Sequence, residues 1–337
     1  MLRFVQLSKL FVVAVALLAG GLINARAGDP PKSEAKEEGF VRLYNGKDLS
    51  GWEVQGGKIE AWKADGELLS CVSEGGGWLR TTKMYSDFVL RIEWRIPKGG
   101  NSGIGLRFPP TGDPAHDGME IQVLDDDDEQ YKKLKDAQYT GGIYYQAPAK
   151  RGAAKPPGEW NVYEITCLGP HVTVMLNGKV INDAMVDTFK AGLGGYMPLA
   201  DRPEIGHVGM QSHGSRVDFR NIEIKNLTKA TASGLQYVDI ASGGGKEVPA
   251  GAKVNVLLNG RLVSGKKFET GRDRQAPVEM PLNGVIPGLQ EGIPGMKVGG
   301  RRKLIIPPEL GYGKRGDGNL IPPDAILIYD VEVKGLP

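Results

Sequence analysis

Residues 88–96 read FVLRIEWRI, and apolar and polar side chains alternate along this stretch. Because successive side chains of a β-strand point to opposite faces, the alternation predicts a strand with one buried face. The same period of two recurs at 118–124 (GMEIQVL), 160–168 (WNVYEITCL), 171–176 (HVTVML) and 217–225 (VDFRNIEIK). Asn177-Gly178, between two such runs, is typical of a hairpin turn. The pattern predicts a mainly β protein that begins with a two-sheet jelly-roll sandwich over residues 40–226, with one helix at 127–137.

Length and charge limit what the protein can be. The chain has 337 residues, and a single hydrophobic core rarely grows past about 250–300 residues, so two domains are expected. Lys and Arg number 42 against 40 Asp and Glu, which gives a formal net charge of +2. A chain so near neutrality has little sequence-independent attraction for phosphates, which argues against a nucleic-acid partner.

The first residues have the pattern of an export signal. A short basic start is followed by the uncharged apolar run 10–23 and by Ala25-Arg26-Ala27, a small-residue cleavage site. This predicts a secretory signal peptide over 1–27, a flexible leader over 28–39 and a periplasmic or extracellular protein without a membrane association after cleavage. The alternative is an uncleaved anchor, but the apolar run is shorter than the roughly 20 residues that span a bilayer.

The composition changes near residue 230. All five Trp, all four His and both Cys precede residue 215. The two cysteines, Cys71 and Cys167, are either two buried thiols or a disulfide. The small, polar residues 227–233 predict a linker to a second domain at 234–337. There, strand-like runs surround one short helix within 285–296, which predicts an α+β half-barrel, an antiparallel sheet around that helix.

Several spaced motifs in the first domain carry a family resemblance. They are YNGKDLSGW (44–52), GGNSGIGLR (99–107), GEWNVYEI (158–165), LNGK (176–179), GHVGMQSHG (206–214) and FRNIEIK (219–225). In this order they resemble the 3-keto-disaccharide hydrolase domain family. The resemblance implies a concanavalin-like sandwich directed at sugars.

A polar strand in this domain offers candidate catalytic groups. Glu120 and Gln122 share one strand face, and a one-residue bulge would bring Asp125 onto it. Laminarinase-like glycosidases use a similar bulged strand with three acids, whereas Gln122 replaces the middle one here. A 3-keto sugar requires fewer catalytic groups of the protein, because its ketone acidifies the neighbouring C–H. One base and one acid can then expel the glycosidic oxygen by elimination. The other candidates for the same cleft are Asn101, Arg107, Gln211 and His213.

Each of these candidates has a simpler interpretation. Glu120 could be a surface carboxylate, and His213 a structural histidine. Residues 125–129 could bind Ca²⁺, but they lack the spacing of a calcium loop and better fit a solvated acidic loop. The Trp residues could stack on sugars or fill the core. Sugar binding without catalysis therefore remains an alternative for this domain.

The second domain resembles an FKBP-type peptidyl-prolyl cis–trans isomerase along its whole length. The motifs are VIPGLQEGIPGMKVG (285–299), PPELGYG (307–313) and IPPDAILIYDVEV (321–333). The resemblance implies catalytic roles for Phe268, Glu269, Ile286 and Tyr312, with the Ile286 N–H and the Tyr312 hydroxyl bonded to the substrate. It also implies a proline pocket, lined by Leu258, Val278, Met280, Val285, Leu289, Leu320, Ile321 and Tyr329.

This chemistry requires no metal or cofactor. The X–Pro bond rotates against a barrier near 18–20 kcal/mol, and an apolar, water-poor pocket favours the twisted amide over the planar one. The expected partners are proline-containing peptides or unfolded proteins, with carbohydrate as a possible ligand of the first domain. The competing interpretation is a non-catalytic envelope or chaperone protein, with a lectin-like sandwich and a proline-binding module.

Overall fold

A computed structural model of the protein describes residues 38–337, in which β-strands dominate. Residues 39–337 form one compact unit. The predicted signal peptide and all but the last two residues of the leader lie outside the described residues. Within residues 38–337, no helix is both long and apolar enough to span a membrane.

Thirteen strands of the described chain precede residue 227 and form two sheets. They are β1 Phe40–Arg42, β2 Trp52–Gln55, β3 Trp62–Asp65, β4 Leu68–Cys71, β5 Trp78–Thr81, β6 Phe88–Arg95, β7 Asn101–Phe108, β8 Met119–Leu124, β9 Asn161–Leu168, β10 His171–Leu176, β11 Lys179–Met185, β12 His207–Gln211 and β13 Val217–Asn226. The larger sheet has the order β11-β10-β9-β6-β13-β4-β3, with β1 on β13. The smaller has the order β2-β5-β12-β7-β8. We call this pair of sheets the sandwich, and it confirms the predicted fold class.

The remaining strands form a third sheet. They are β14 Lys229–Ala230, β15 Gln236–Ala241, β16 Lys253–Leu262, β17 Lys267–Thr270, β18 Val278–Pro281, β19 Arg301–Ile306 and β20 Leu327–Gly335. The order is β14-β15-β19-β20-β16-β17, with β18 on β16, and all pairs are antiparallel. We call this sheet and its helix the half-barrel. β14 lies within the segment that the sequence predicts to be a linker.

Period-two burial explains why these segments form strands. In β6, buried and half-buried residues alternate without a break, as the sequence pattern predicts. Its buried side chains, among them Phe88 and Trp94, join the core between the two sheets of the sandwich. Cys71 and Cys167 are both buried in this core, and both are free thiols.

Helical structure is scarce in the described residues. The half-barrel holds α2, Pro287–Gly292, with Pro287 at its first position, where the missing N–H costs nothing. A four-residue helix, α1, spans Pro114–Asp117. The predicted helix at 127–137 is wrong: that segment contains only the 3-10 turns Glu129–Tyr131 and Asp136–Gln138. Asp128 caps the first turn by accepting from the Gln130 N–H at 3.1 Å, which favours a short turn in an acidic loop.

The outer face of the half-barrel sheet packs on one end of the sandwich. Ile305 and Ile328 contact Ile205 there, in a small apolar cluster. Beside it, the fully buried Lys303 ammonium lies 3.1 Å from carboxylate oxygens of both Asp87 and Glu204. The sandwich and the half-barrel therefore share a buried, charged contact.

Candidate functional sites

One face of the smaller sandwich sheet carries polar side chains, and we call it the polar face. Ile104, Ile121 and Met210 point from this sheet into the sandwich core. Their strand neighbours Glu120 and Gln211 therefore point the opposite way.

Glycines leave room on the polar face for larger side chains to lie flat across the strands. A Cβ on Gly103 would lie 2.0 Å from Glu120 Oε1, so the Glu120 carboxyl group rests directly over that glycine. A Cβ on Gly105 would lie 2.7 Å from the Phe108 ring and 2.9 Å from Trp78. Both aromatic rings therefore form part of the polar face.

Glu120 is the most unusual group of this face, with only 2% of its surface exposed. Burial raises its pKa to about 8, and the nearby Asp113 carboxylate raises it as well. At neutral pH, Glu120 is therefore a protonated acid, able to give a proton. This excludes its interpretation as a surface carboxylate.

Four of the predicted sugar-site residues form a connected chain. The Gln122 amide, oriented with its nitrogen toward Glu120, lies 3.2 Å from Glu120 Oε1 and from the Ser102 carbonyl oxygen. Its carbonyl oxygen then faces the Asn101 amide at 3.2 Å, and the other end of that amide lies 3.3 Å from Nδ1 of the exposed His213. This series of side-chain contacts reaches from the buried Glu120 to His213 at the surface.

Two further predicted sugar-site residues lie elsewhere, and their placement is a correction. Arg107 has a φ of 51° at a bulge between β7 and β12, which turns its side chain off the polar face. Its guanidinium is buried and donates to the carbonyls of Ser86 at 2.5 Å and Gly169 at 2.8 Å. It also pairs with Asp87 at 3.3 Å, the carboxylate that Lys303 contacts, so Arg107 belongs to the contact between sandwich and half-barrel.

Asp125 is also off the polar face. The pairing of β7 with β8 runs without a register shift, so the expected bulge is absent from β8. Asp125 follows the strand, and its carboxylate accepts from the Gly99 N–H at 2.8 Å. Next to it, Asp126 accepts from the Thr140 backbone and hydroxyl. These carboxylates serve to hold loops.

Other polar atoms of the same face have no partner among the described residues. They are Gln55 Oε1, Gln211 Oε1, and Nε and one terminal nitrogen of Arg80. Buried polar atoms are normally hydrogen-bonded. Their concentration on one sheet face is suited to a ligand with many hydroxyl groups.

A histidine–aspartate pair that the sequence pattern does not reveal lies near this face. Asp113 precedes α1, and its Oδ2 lies 3.0 Å from Nδ1 of His116. The short segment PTGDPAHDG between β7 and β8 shows both residues, but a turn of this kind carries no strand or helix period. Of the five Trp residues, Trp52, Trp62 and Trp94 are in the core, whereas Trp78 lies on the polar face.

The half-barrel gathers most of its predicted pocket residues in one apolar cluster. The buried members are Leu258, Met280, Leu289, Ile321 and Tyr329, and the partly buried members are Phe268, Val285, Ile286 and Tyr312. Val278 and Leu320 are outside the cluster, 46% and 55% exposed. The structure thus brings nine of these residues together and leaves two at the surface.

Aromatic groups are fixed within this cluster. The Phe268 ring meets the Tyr329 ring edge-on, 5.5 Å between centroids, and lies against Gly260, where a Cβ would approach it to 2.4 Å. The hydroxyl groups of Tyr329 and Tyr312 lie near each other. Burial raises the pKa of Tyr312, and the charge of Asp317 raises it as well. Tyr312 therefore carries its proton at neutral pH and can donate it in a hydrogen bond.

Glu269 and Ile286 have local roles that the sequence did not reveal. Glu269 Oε1 accepts from the N–H groups of Thr270 at 2.7 Å and Gly271 at 2.8 Å, which holds the turn after β17. The Ile286 carbonyl accepts from the Leu289 N–H at 3.0 Å, at the start of α2. In the described part of the chain, the Ile286 N–H itself has no hydrogen-bond partner.

Comparisons with known proteins agree with this division of the chain. Residues 39–225 match the family of 3-keto-alpha-glucoside-1,2-lyase-like domains, and residues 244–334 match the FKBP-type peptidyl-prolyl cis-trans isomerases. A crystal structure of a presumed glycosyl hydrolase from Parabacteroides distasonis is 29% identical, with a TM-score of 0.51. The match covers 56% of this chain and 99% of that one.

Relatives in sequence match the half-barrel. An FK506-binding protein of Neisseria meningitidis serogroup B is 46% identical over 102 residues, which are 30% of this chain and 94% of that relative. The isomerase FkpA of Escherichia coli K12 is 42% identical over 105 residues, 31% of this chain but only 38% of that protein. The chain therefore belongs to the 3-keto-alpha-glucoside-1,2-lyase-like family through its sandwich and to the FKBP-type peptidyl-prolyl cis–trans isomerases through its half-barrel.

Proposed function

We propose that the protein is an exported prolyl isomerase that binds proline side chains at the apolar cluster of the half-barrel. The observation that carries this proposal is the grouping of Phe268, Tyr312 and Ile286 at one cluster. An apolar wall favours the twisted amide, and the free Ile286 N–H and the Tyr312 hydroxyl supply donors for the peptide carbonyls. Val278 and Leu320 would form the exposed rim.

The test is isomerisation of Xaa–Pro peptides by the full chain. Phe268→Ala removes the apolar wall and should lower kcat/KM by about tenfold or more. Tyr312→Phe removes one hydrogen bond of about 0.5–1.5 kcal/mol, so a loss of about 2–13-fold is expected. Tyr237→Phe is the matched control, because Tyr237 packs against the same cluster from β15.

Two results would contradict this proposal. Full activity in both Phe268→Ala and Tyr312→Phe would show that the cluster is not the active site. Peptide binding without acceleration by the wild-type chain would support the alternative of a chaperone-like binding module.

For the sandwich, we propose cleavage of 3-keto-glycosides by elimination, with Glu120 as the acid. The observation that favours it is a buried, protonated carboxyl group on a face with unpartnered polar atoms. Glu120 would protonate the departing glycosidic oxygen while a base removes the proton from C2, next to the ketone. No nucleophile is required, which suits Gln122 in the position of the middle acid.

Glu120→Gln tests this second function. It should lower cleavage of a 3-keto-glycoside by about 100-fold or more, followed through the ultraviolet absorbance of the unsaturated ketone product. Since the acid must be protonated, the wild-type kcat/KM should decline above pH 8. Glu159→Gln, at an exposed position, is the control. Sugar binding without turnover would instead support a lectin-like domain.

Export is part of the proposal and has its own test. The basic start, apolar run and Ala25-Arg26-Ala27 site support removal of residues 1–27. Mass spectrometry of the native protein should find a mature N-terminus near Gly28. An intact first segment in the cytosolic fraction would contradict export.

A further inference from the structure

We propose that His116 is the base of the elimination, taking the C2 proton through Nε2, and that Asp113 is its positioning residue. The inference rests on the proposed sugar function and assigns the proton acceptor that this function leaves open. Its support comes from the geometry of α1 and of the segments that pack against it.

Asp113 holds the imidazole from one edge. Its Oδ1 caps α1 by accepting from the Ala115 N–H at 2.9 Å, which fixes the carboxylate. The other oxygen, Oδ2, is 3.0 Å from His116 Nδ1. A carboxylate at Nδ1 keeps the ring proton on that nitrogen and leaves the lone pair on Nε2.

Tyr196 holds the same ring from its flat side. The two ring centroids are 3.4 Å apart, and the ring planes differ by 5°. The imidazole therefore has a fixed position as well as a fixed tautomer. Precise placement of a proton acceptor is a large part of general base catalysis.

The second ring nitrogen of His116, Nε2, has no structural role within the described chain. Nε2 is buried and has no hydrogen-bond partner there, although the imidazole as a whole is about one-quarter exposed, with 23% of its side-chain surface accessible. An oriented, unpartnered acceptor of this kind is expected where a ligand supplies the missing contact. By contrast, Nδ1 of the buried His207 lies 2.7 Å from the Thr81 carbonyl oxygen and has a structural partner.

His116 and Glu120 lie at the same end of β8. The Asp113 carboxylate acts on the Glu120 carboxyl group electrostatically. Tyr144 lies between them: its ring centroid is 6.3 Å from that of His116, and its N–H donates to the Glu120 carbonyl at 2.9 Å. The proposed base and the proposed acid thus lie near the start of β8, and Tyr144 contacts both residues.

The loop that carries α1 also extends across this face. Gln55 Nε2, on β2 at one edge of the sheet, donates to the Gly112 carbonyl at 2.9 Å. Gly112 belongs to the connection between β7 and β8, at the other edge. The loop on which His116 lies therefore spans the polar face from one edge of the sheet to the other.

The proposed step is balanced by groups of the protein and substrate alone. Nε2 of His116 takes the proton from C2, and the C–H electron pair becomes the C1=C2 double bond. The C1–O bond breaks, and its electron pair stays on the glycosidic oxygen, which takes the proton of Glu120. The products are an unsaturated ketone and an alcohol, and solvent exchange restores both protonation states.

Several charged and titratable groups face His116 and would shape its pH dependence. Asp113 and Asp117 lie on its own segment. Tyr144 and Tyr196 contact it from two loops, and Glu120 lies beyond Tyr144. The Arg202 guanidinium donates to the carbonyls of Ala115 and Gly118, which flank His116 in the chain. Asp113→Asn should change the pH profile of cleavage, because it removes the nearest of these charges.

The experiment follows hydrogen exchange at C2 as well as cleavage, using the full chain, a 3-keto-glucoside and D₂O. His116→Gln should lose both exchange and cleavage, by about 100-fold or more. Glu120→Gln should lose cleavage but still exchange the C2 proton, since the base remains. His171→Gln is the matched control, because His171 also pairs with an aspartate, Asp183, but at an exposed position.

Each outcome separates the two proposals. Exchange that persists in His116→Gln, while Glu120→Gln abolishes cleavage, would overturn the role of His116 and leave the sugar function standing. A wild-type chain that neither exchanges nor cleaves the 3-keto-glucoside would overturn both. Loss of exchange in His116→Gln with an unchanged thermal transition would support the assignment.

Discussion

Near neutral pH, the Glu120 carboxyl group is protonated in the folded protein but would be ionised in the unfolded chain. The free energy of unfolding therefore depends on pH through this group of the sugar site. Its pKa is about 8 in the folded protein, against an ordinary value of 4.5. Between these values the folded state holds the extra proton, so stability contributed by this group falls as the pH rises. The slope is at most about 1.4 kcal/mol per pH unit.

Glu120→Gln should therefore flatten the pH dependence of unfolding. Urea unfolding of the full chain, measured from pH 5 to pH 8, should show a smaller decline in the variant than in the wild type. Glu159→Gln should leave the wild-type slope in place. An identical slope in Glu120→Gln would mean that the carboxyl group is not buried as described.

The direction of the Arg107 side chain could not be predicted from the sequence alone. The period of two places Glu120 and Gln122 on one strand face, and the structure brings them together with Asn101, a further candidate for the same cleft. The same counting puts Arg107 on that face, but a bulge and a positive φ at Arg107 turn it away. Such a bulge depends on the partner strand, which a single segment does not reveal.

At the scale of elements, the position of the Glu120 carboxyl group across the β7–β8 pair depends on the absence of a side chain at Gly103. Alanine there would bring a Cβ within 2.0 Å of Glu120 Oε1. The carboxyl group is the end of a flexible side chain, so it should move while the strands stay paired. Cleavage of a 3-keto-glycoside should then fall by about 100-fold, since displacements near 1 Å have such effects.

The control for this variant is Gly244→Ala, where the new Cβ would meet nothing within 4 Å. Prolyl isomerisation should be unchanged in both variants. If Gly103→Ala cleaves the sugar as fast as Gly244→Ala, the position of Glu120 over Gly103 has no role in the reaction.

Strands and the half-barrel helix were predictable because their periods are local. α2 begins at Pro287, as the proline position indicates, and β6 follows its alternation. The segment 127–137 does not form the predicted helix, since its Asp128 cap begins a turn of three residues and no apolar stripe extends it. α1 was missed because four residues are too few to show a helical period.

At the scale of the whole molecule, buried charges join the sandwich to the half-barrel. Lys303, 1% exposed, pairs with Asp87 and Glu204, and Arg261 also pairs with Glu204 at 3.1 Å. Burial alone would raise the pKa of Glu204, but the nearby cations hold it well below its usual range. Stability from this carboxylate is therefore present above its unfolded pKa and is lost as the pH falls.

Lys303→Met should destabilise the full chain at pH 7 by about 3–5 kcal/mol, because it leaves two buried carboxylates with fewer partners. Lys334→Met is the control: Lys334 makes an exposed pair with Glu332, worth about 0–1 kcal/mol. Urea unfolding of the two variants measures the difference. Equal stabilities would mean that the charged contact does not join the two parts.

The buried contact of Lys303 with the sandwich could not be predicted from the sequence. Lys303 ends the basic run Arg301-Arg302-Lys303 that opens β19, yet it is buried beside Asp87 of the sandwich. Burial of this face depends on residues more than 200 positions away, such as Asp87. Patterns among neighbouring residues carry no information about contacts between residues so far apart in the sequence.

The central claim is that one chain carries two separate active sites, and paired activity measurements test it most directly. Xaa–Pro isomerisation and 3-keto-glycoside cleavage should be measured on the same preparations of wild type, Phe268→Ala and Glu120→Gln. Phe268→Ala should lose isomerisation and keep cleavage, whereas Glu120→Gln should lose cleavage and keep isomerisation. A wild-type chain without either activity, or a single substitution that abolishes both while the protein stays folded, would contradict the account.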